Sequence, residues 1–199
     1  MASEIELGLL KKYCVGKGVN IGCGPRPIAE AINVDIAPGA LADVYAPASM
    51  LPFYSNRFDY LVSSHCLEHV DAAPLLILRE WLRVLKLGGI MAFIVPDGND
   101  DHLALGVTPG IFIEGKHVGI FTTDTLATLV EYAGADILEQ RVIERPEWKT
   151  KTILTVAKKT VGTSDVIPWD SMRAYLLWVS AVGKTVTPRG LLKWLRHRW

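Results

Sequence analysis

Along the chain, short apolar runs bounded by glycine, proline and asparagine alternate with amphipathic segments of helical period. A first helix is predicted over Ser3 to Cys14, opened by the capping-box pattern Ser3-x-x-Glu6, with Ile5, Leu9, Leu10 and Tyr13 close to one face. Strands follow at Gly18 to Gly22 and Ile32 to Ile36. Only nine residues, including Pro25 and Pro27, run from Cys23 to Ala31, so the connection is either a one-turn helix at Ile28 to Ala31 or a plain loop. Further strands are expected at Ala42 to Tyr45 and Phe58 to Ser63. Asp71 then caps a helix with Pro74 in its first turn and Leu75, Leu78, Leu82 and Leu85 as its stripe, stopped by Gly88 and Gly89. Ile90 to Val95 reads as a fully buried strand, and residues 97–121 as a long loop of the kind that usually carries function. A helix beginning at Thr123 or Asp124 turns Leu126, Leu129, Val130 and Ala133 inward and stops at Gly134. Asp136 to Glu144 and Lys151 to Lys158 pair as a hairpin. The outcome is an α/β chain with a mostly parallel sheet and an antiparallel edge.

Composition narrows this to one domain with an appendage: 199 residues, half of them apolar, suffice for a single core. The division falls near residue 160, with a domain over 1–160 and a tail over 161–199. No run of 18 apolar residues occurs and the first residues lack the order of a signal peptide, so a cytoplasmic protein is expected. Cys14, Cys23 and Cys66 have no pair spacing, which points to buried thiols and to no metal site. The zero net charge hides an asymmetry. Residues 1–150 carry 12 Lys/Arg against 19 Asp/Glu, and residues 151–199 carry 9 against 2. Within this basic tail, Pro168 to Val182 is apolar on more than one face. Thr187-Pro188 opens a helix with Leu191, Leu192, Leu195 and Trp199 on one side and Arg189, Lys193, Arg196 and His197 on the other. Such a segment fits an anionic membrane surface, a homodimer through residues 168–199, or the acidic body itself. An acidic body disfavours nucleic acid.

The candidate chemistry is concentrated between Gly18 and Asp35. A strand, the turn Gly22-Cys23-Gly24 and a second strand ending in Asp35 place backbone N–H groups and a carboxylate at the carboxyl ends of two neighbouring strands, where a nucleoside can bind. The bland alternative is a tight turn alone. A dinucleotide fingerprint does not fit, because Pro27 stands where its last glycine belongs and Asp35 comes too early. His65 and His69 serve catalysis or merely orient the following segment, and Glu68 reads as a first-turn acid favoured by the helix dipole.

With NIGCG at Asn20 to Gly24, NVDI ending the second strand, LPF at Leu51 to Phe53, NRFDYLVSSHCLEHV, EWLRVLKLGGIMAFIVPD and HVGIFTTDTLATLVEYAGAD in that order, the chain resembles class I S-adenosylmethionine-dependent methyltransferases, in particular a short subgroup. The likeness runs over roughly residues 15 to 158. It implies a Rossmann-like seven-stranded sheet with S-adenosylmethionine across its first strands, lined by Gly22, Cys23, Gly24, Ser64 and His65, with Asp35 on the ribose. Relatives often place an acid before LPF for the adenine amine. Here that stretch is Ala46-Pro47-Ala48-Ser49-Met50, so Ser49, Met50 or backbone groups must serve instead. Methyl transfer requires alignment, plus a base if the acceptor is a hydroxyl. His117 is the first candidate base, followed by His65 and Asp97, with His102 also on a loop over the strand ends. The expected acceptor is a small molecule, a sugar or a lipid-linked intermediate. The competing expectation is a degenerate cofactor-binding module that scaffolds a partner through its tail.

Overall fold

A computed structural model describes residues 4–99 and 119–162. The chain forms α1 (Glu4–Lys11), β1 (Gly18–Ile21), β2 (Ala31–Asp35), β3 (Val44–Tyr45), β4 (Phe58–Ser64), a single 3-10 turn at Leu67–His69, α2 (Pro74–Val84), β5 (Leu85–Pro96), α3 (Thr123–Ala133), β6 (Ala135–Arg145) and β7 (Thr150–Lys159). The seven strands lie in the order β3-β2-β1-β4-β5-β7-β6. β1 to β5 are mutually parallel, and β7 runs antiparallel to both β5 and β6. This is the expected mostly parallel sheet with an antiparallel edge hairpin. The expected helical tail lies outside the described residues.

The two faces of the sheet are covered unequally. On one, Ile77, Leu78, Trp81 and Leu82 of α2 and Leu126 and Val130 of α3 pack with Val19, Leu61 and Phe93 in the larger core. Fully buried Trp81 meets Phe93 edge-on, with centroids 6.1 Å apart. On the other face, Leu10 of α1 joins Ile28, Tyr60, Val62, Ile94 and Leu154. Gly18 is required beneath this layer, because a Cβ there would come within 1.9 Å of the Tyr60 ring.

The β1–β2 connection contains no helix and is organised by a buried amide. Asn33 Oδ1 accepts from Ile28 N (2.8 Å) and Asn20 Nδ2 (3.0 Å), while its Nδ2 donates to Ile28 O (3.0 Å) and to Asp43 Oδ2 (3.0 Å). The Asn33 backbone N–H also donates to Asp43 Oδ2. One side chain thus holds β1, the connecting loop and the approach to β3, and Ile28, 1% exposed, plugs the space beneath. Satisfied buried polar groups of this kind fix a loop that has no repeating backbone ladder of its own.

Several local expectations are corrected. α2 starts from Ala73 with no side-chain cap, so Asp71 is not its cap. Its buried seam runs through Ile77, Leu78, Trp81 and Leu82, leaving Leu75 only half-buried. Leu85 opens β5 instead of closing the helix. Gly88 and Gly89 do not terminate α2 but sit within β5, beside a register shift against Phe58 and Tyr60. In α1, Ile5 is exposed while Glu6 is buried, so Glu6 is no surface cap. α3 conforms to expectation: Thr122 and Thr125 cap it reciprocally, and Gly134 closes it at φ 108°.

Candidate cofactor site

At the carboxyl ends of β1, β2 and β4 lies a cavity of about 570 Å³, a size in the usual range for small-molecule sites. Its floor is the glycine turn. Gly22 N and Cys23 N both donate to Val34 O, which ties the end of β1 to β2. Gly22 has φ 70°, and a Cβ there would lie 2.6 Å from Cys66 Cβ, so backbone conformation and the close approach of the segment after β4 both demand glycine. Asp35 spans the turn and the segment beyond β2: Oδ2 accepts from Gly24 N (2.7 Å) and Oδ1 from Ala37 N (2.8 Å). Each oxygen keeps a further lone pair for a ligand hydroxyl. Burial, followed by the nearby Asp35 and Asp43 carboxylates, pushes the Cys23 thiol up to about 12; burial likewise raises Cys66, so both thiols stay neutral.

A wall of the cavity is formed by Ala46, Pro47, Ala48 and Ser49. α2 grips this segment and the loop after it. Trp81 Nε1 donates to Ala48 O (2.9 Å), Glu80 Oε1 accepts from Leu51 N (2.7 Å), and Arg83 donates to Leu51 O, Phe53 O and both oxygens of Glu80. The Arg83–Glu80 pair is about nine-tenths buried.

Ser64 and His65 occupy the β4 end. Ser64 is 8% exposed, lines the cavity, and its Oγ has no hydrogen-bond partner. His65 adopts the left-handed conformation (φ 52°) and also lines the cavity. Both of its ring nitrogens lie against carboxylates, Nε2 at 2.9 Å from Glu6 Oε1 and Nδ1 at 3.2 Å from Glu68 Oε1. Burial disfavours the charged ring, but the hydrogen bonds to Glu6 and Glu68 outweigh it and hold the His65 pKa above the ordinary histidine value. With a carboxylate against each ring nitrogen, His65 is held between α1 and the 3-10 turn while still lining the cavity.

Of the other residues expected at the site, Gly22, Cys23, Gly24, Asp35 and Ser49 line the cavity. Met50 is not on its wall; its N–H closes a turn onto Pro47 O. Asp97 is buried at the end of β5, off that wall, where Oδ1 accepts from Asn99 N. His102 and His117 lie outside the described residues. Sequence reasoning passed over Leu7, Arg26 and Asp71, all of which line the cavity, and misjudged Glu6. Arg26 carried a signal in the Pro-Arg-Pro that replaces the crossover helix. Leu7 and Glu6 carried none, since their partners are distant in the chain.

A family profile described as a methyltransferase domain matches residues 9–140, more than half of the chain. The chain belongs to that methyltransferase family. Solved structures share this methyltransferase's fold. An S-adenosylmethionine-dependent methyltransferase of Methanosarcina mazei is 20% identical with TM-score 0.62, over 77% of this chain and 98% of that one. The 1,6-didemethyltoxoflavin-N1-methyltransferase of Burkholderia thailandensis, solved with that compound and S-adenosylhomocysteine, is 19% identical with TM-score 0.60, over 77% and 76%. A Haloferax volcanii methyltransferase in complex with the activator Trm112 is 17% identical with TM-score 0.62, over 79% and 89%. A search of curated proteins finds no match. The fold and cofactor expected from the sequence therefore stand: this is a class I methyltransferase and its cofactor is S-adenosylmethionine. Among the described residues no helix is long and apolar enough to cross a membrane.

Proposed function

We propose that the cavity over β1, β2 and β4 is the S-adenosylmethionine site and that the methyltransferase modifies a small-molecule acceptor. The observation that carries the reading is Asp35, fixed by two backbone N–H groups at the end of β2 with lone pairs left for the two ribose hydroxyls. The donor set suits the rest of the cofactor. Ala46 to Ser49 provide an apolar wall with one hydroxyl for the adenine. Arg26 is the lone lysine or arginine among the described residues on the cavity wall, and its guanidinium suits the amino-acid carboxylate. The unpartnered Ser64 hydroxyl belongs to a residue that lines the same cavity.

When bound, the cofactor supplies an electrophilic methyl group on a sulfonium. The chain's own task is to align an acceptor with it and to receive a proton where the acceptor is a hydroxyl. The 1,6-didemethyltoxoflavin bound to the Burkholderia neighbour supports a small-molecule acceptor here. A hydroxyl acceptor rests on the histidines of the 97–121 segment, and His117 is the residue assigned as base, histidine being the side chain best suited to proton transfer near neutral pH.

Calorimetry with S-adenosylhomocysteine tests the site. Asp35→Ala removes two ribose hydrogen bonds and is expected to weaken binding by about 1–3 kcal/mol. Absence of binding by the native chain at millimolar ligand, or unchanged affinity in Asp35→Ala, overturns the assignment.

A further inference from the structure

Next to the cofactor cavity lies a cluster of buried charges that methyl transfer does not use. Glu6 of α1 is 1% exposed and Glu68 of the 3-10 turn is fully buried, and His65 is wedged between them. Arg145, at the end of β6, brings Nε to 3.5 Å from the same Glu6 oxygen that His65 contacts. From the turn, His69 Nε2 stands 3.8 Å from Glu68 Oε1. With His65 protonated, Glu6, Glu68, His65 and Arg145 sum to zero charge. With His65 neutral, a buried negative charge is left over and one ring nitrogen loses its proton. A buried carboxylate that loses its charged partner is strongly disfavoured.

We propose that Glu6 is a positioning residue for the cofactor: through His65 it pins the first turns of α1 against the cavity and so completes the cavity wall at Leu7. This inference rests on the site assigned above. The geometry separates the two halves of α1. Its C-terminal end is fastened independently, by Leu10 in the core and by Tyr13 Oη donating to Glu139 Oε2 at 2.6 Å. Its N-terminal half carries Leu7, which lines the cavity, and Glu4, whose carboxylate is 3.8 Å from the cavity residue Arg26. In that half Glu6 is the buried anchor, beside the more exposed Glu4–Arg26 pair. His65, whose ring meets α1 at Glu6, has a left-handed backbone.

The sign of the pH dependence follows from the charge sum. His65 is held above the ordinary histidine value, so the latch is complete at low pH and opens as pH rises through that elevated value. Replacing Glu6 by Gln removes one of the two carboxylates that retain the proton, and the midpoint moves to lower pH.

The test is calorimetry of S-adenosylhomocysteine binding to the full chain between pH 6 and 9, on the native protein and on Glu6→Gln, alongside NMR titration of the His65 ring. The ligand's own amine titrates equally in both, so the difference between the two proteins isolates the latch. Expected are roughly tenfold weaker binding by Glu6→Gln at pH 6, from loss of a charge-assisted hydrogen bond, and a His65 midpoint displaced downward. Equal affinities and equal pH profiles in the two proteins overturn the inference while leaving the cofactor site standing. No binding by the native protein overturns both. Should Glu6→Gln fail to fold, a native affinity that shows no fall as His65 titrates is the overturning result, and a fall that tracks the His65 midpoint supports the latch.

Discussion

Asn33 is the side chain on which the shortened β1–β2 connection hangs, and its contribution can be worked from the geometry. In Asn33→Leu the volume is roughly kept and every side-chain hydrogen bond is lost. Asp43 Oδ2 retains the Asn33 backbone N–H, and Ile28 O retains Ala31 N at 3.2 Å. Two donors lose the acceptor they share: Ile28 N and Asn20 Nδ2. Each buried donor left without a partner costs about 1–3 kcal/mol, so the expected loss is about 2–6 kcal/mol in urea unfolding followed by circular dichroism. Adding Asn20→Val removes one stranded donor with its partner, and the double variant is expected to lose less than the sum of the single losses. Affinity for S-adenosylhomocysteine should fall in parallel, because the loop connects Gly24 to the strand that ends in Asp35. A loss below about 1 kcal/mol in Asn33→Leu would refute the view that this amide stands in for a crossover helix.

Two further outcomes are expected. Arg83→Met strands Glu80 and the carbonyls of Leu51 and Phe53 in a nine-tenths buried pocket, and should cost about 3–5 kcal/mol by thermal or urea unfolding; Glu80→Leu added to it should recover part of that loss. Gly22→Ala forces a left-handed alanine against Cys66 and should destabilise by about 1–3 kcal/mol while weakening cofactor binding, which unfolding and calorimetry on one preparation would measure together.

The parts of this structure that announce themselves in the sequence are those governed by near neighbours. Alternation and turn residues located all seven strands, and Thr122 to Gly134 declared its own ends. The glycine turn and Asp35 were legible because the ordered motifs fix where a parallel sheet opens. What stayed hidden depends on distant partners or on an uninterrupted backbone. Glu6 three residues after Ser3 has the local pattern of a capping box, and only His65 and Arg145 reveal it as a buried ion. Leu85 carries the helical spacing of α2, yet the chain passes from helix to strand with no intervening loop, so periodicity could not mark the join. Asp71 follows a strand and precedes Pro74, as a cap would, but α2 begins only after Ala73 and leaves the acid on the cavity wall. His65 has the look of a loop histidine, and nothing local in the sequence shows the carboxylates of Glu6 and Glu68 on both sides of its ring.

The attachments of α1 also order events along the growing chain. Among its ties, Arg145 meets the N-terminal half and Glu139 the C-terminal end, and the Tyr13–Glu139 bond alone spans 126 residues. During synthesis the glycine turn, Asp35 and Ser64 emerge early, whereas the hairpin carrying both of these partners emerges late. Closing so long a loop is entropically costly before those partners exist. The helix made first therefore receives its last two ties, to Arg145 and Glu139, only when the sheet has its final strands.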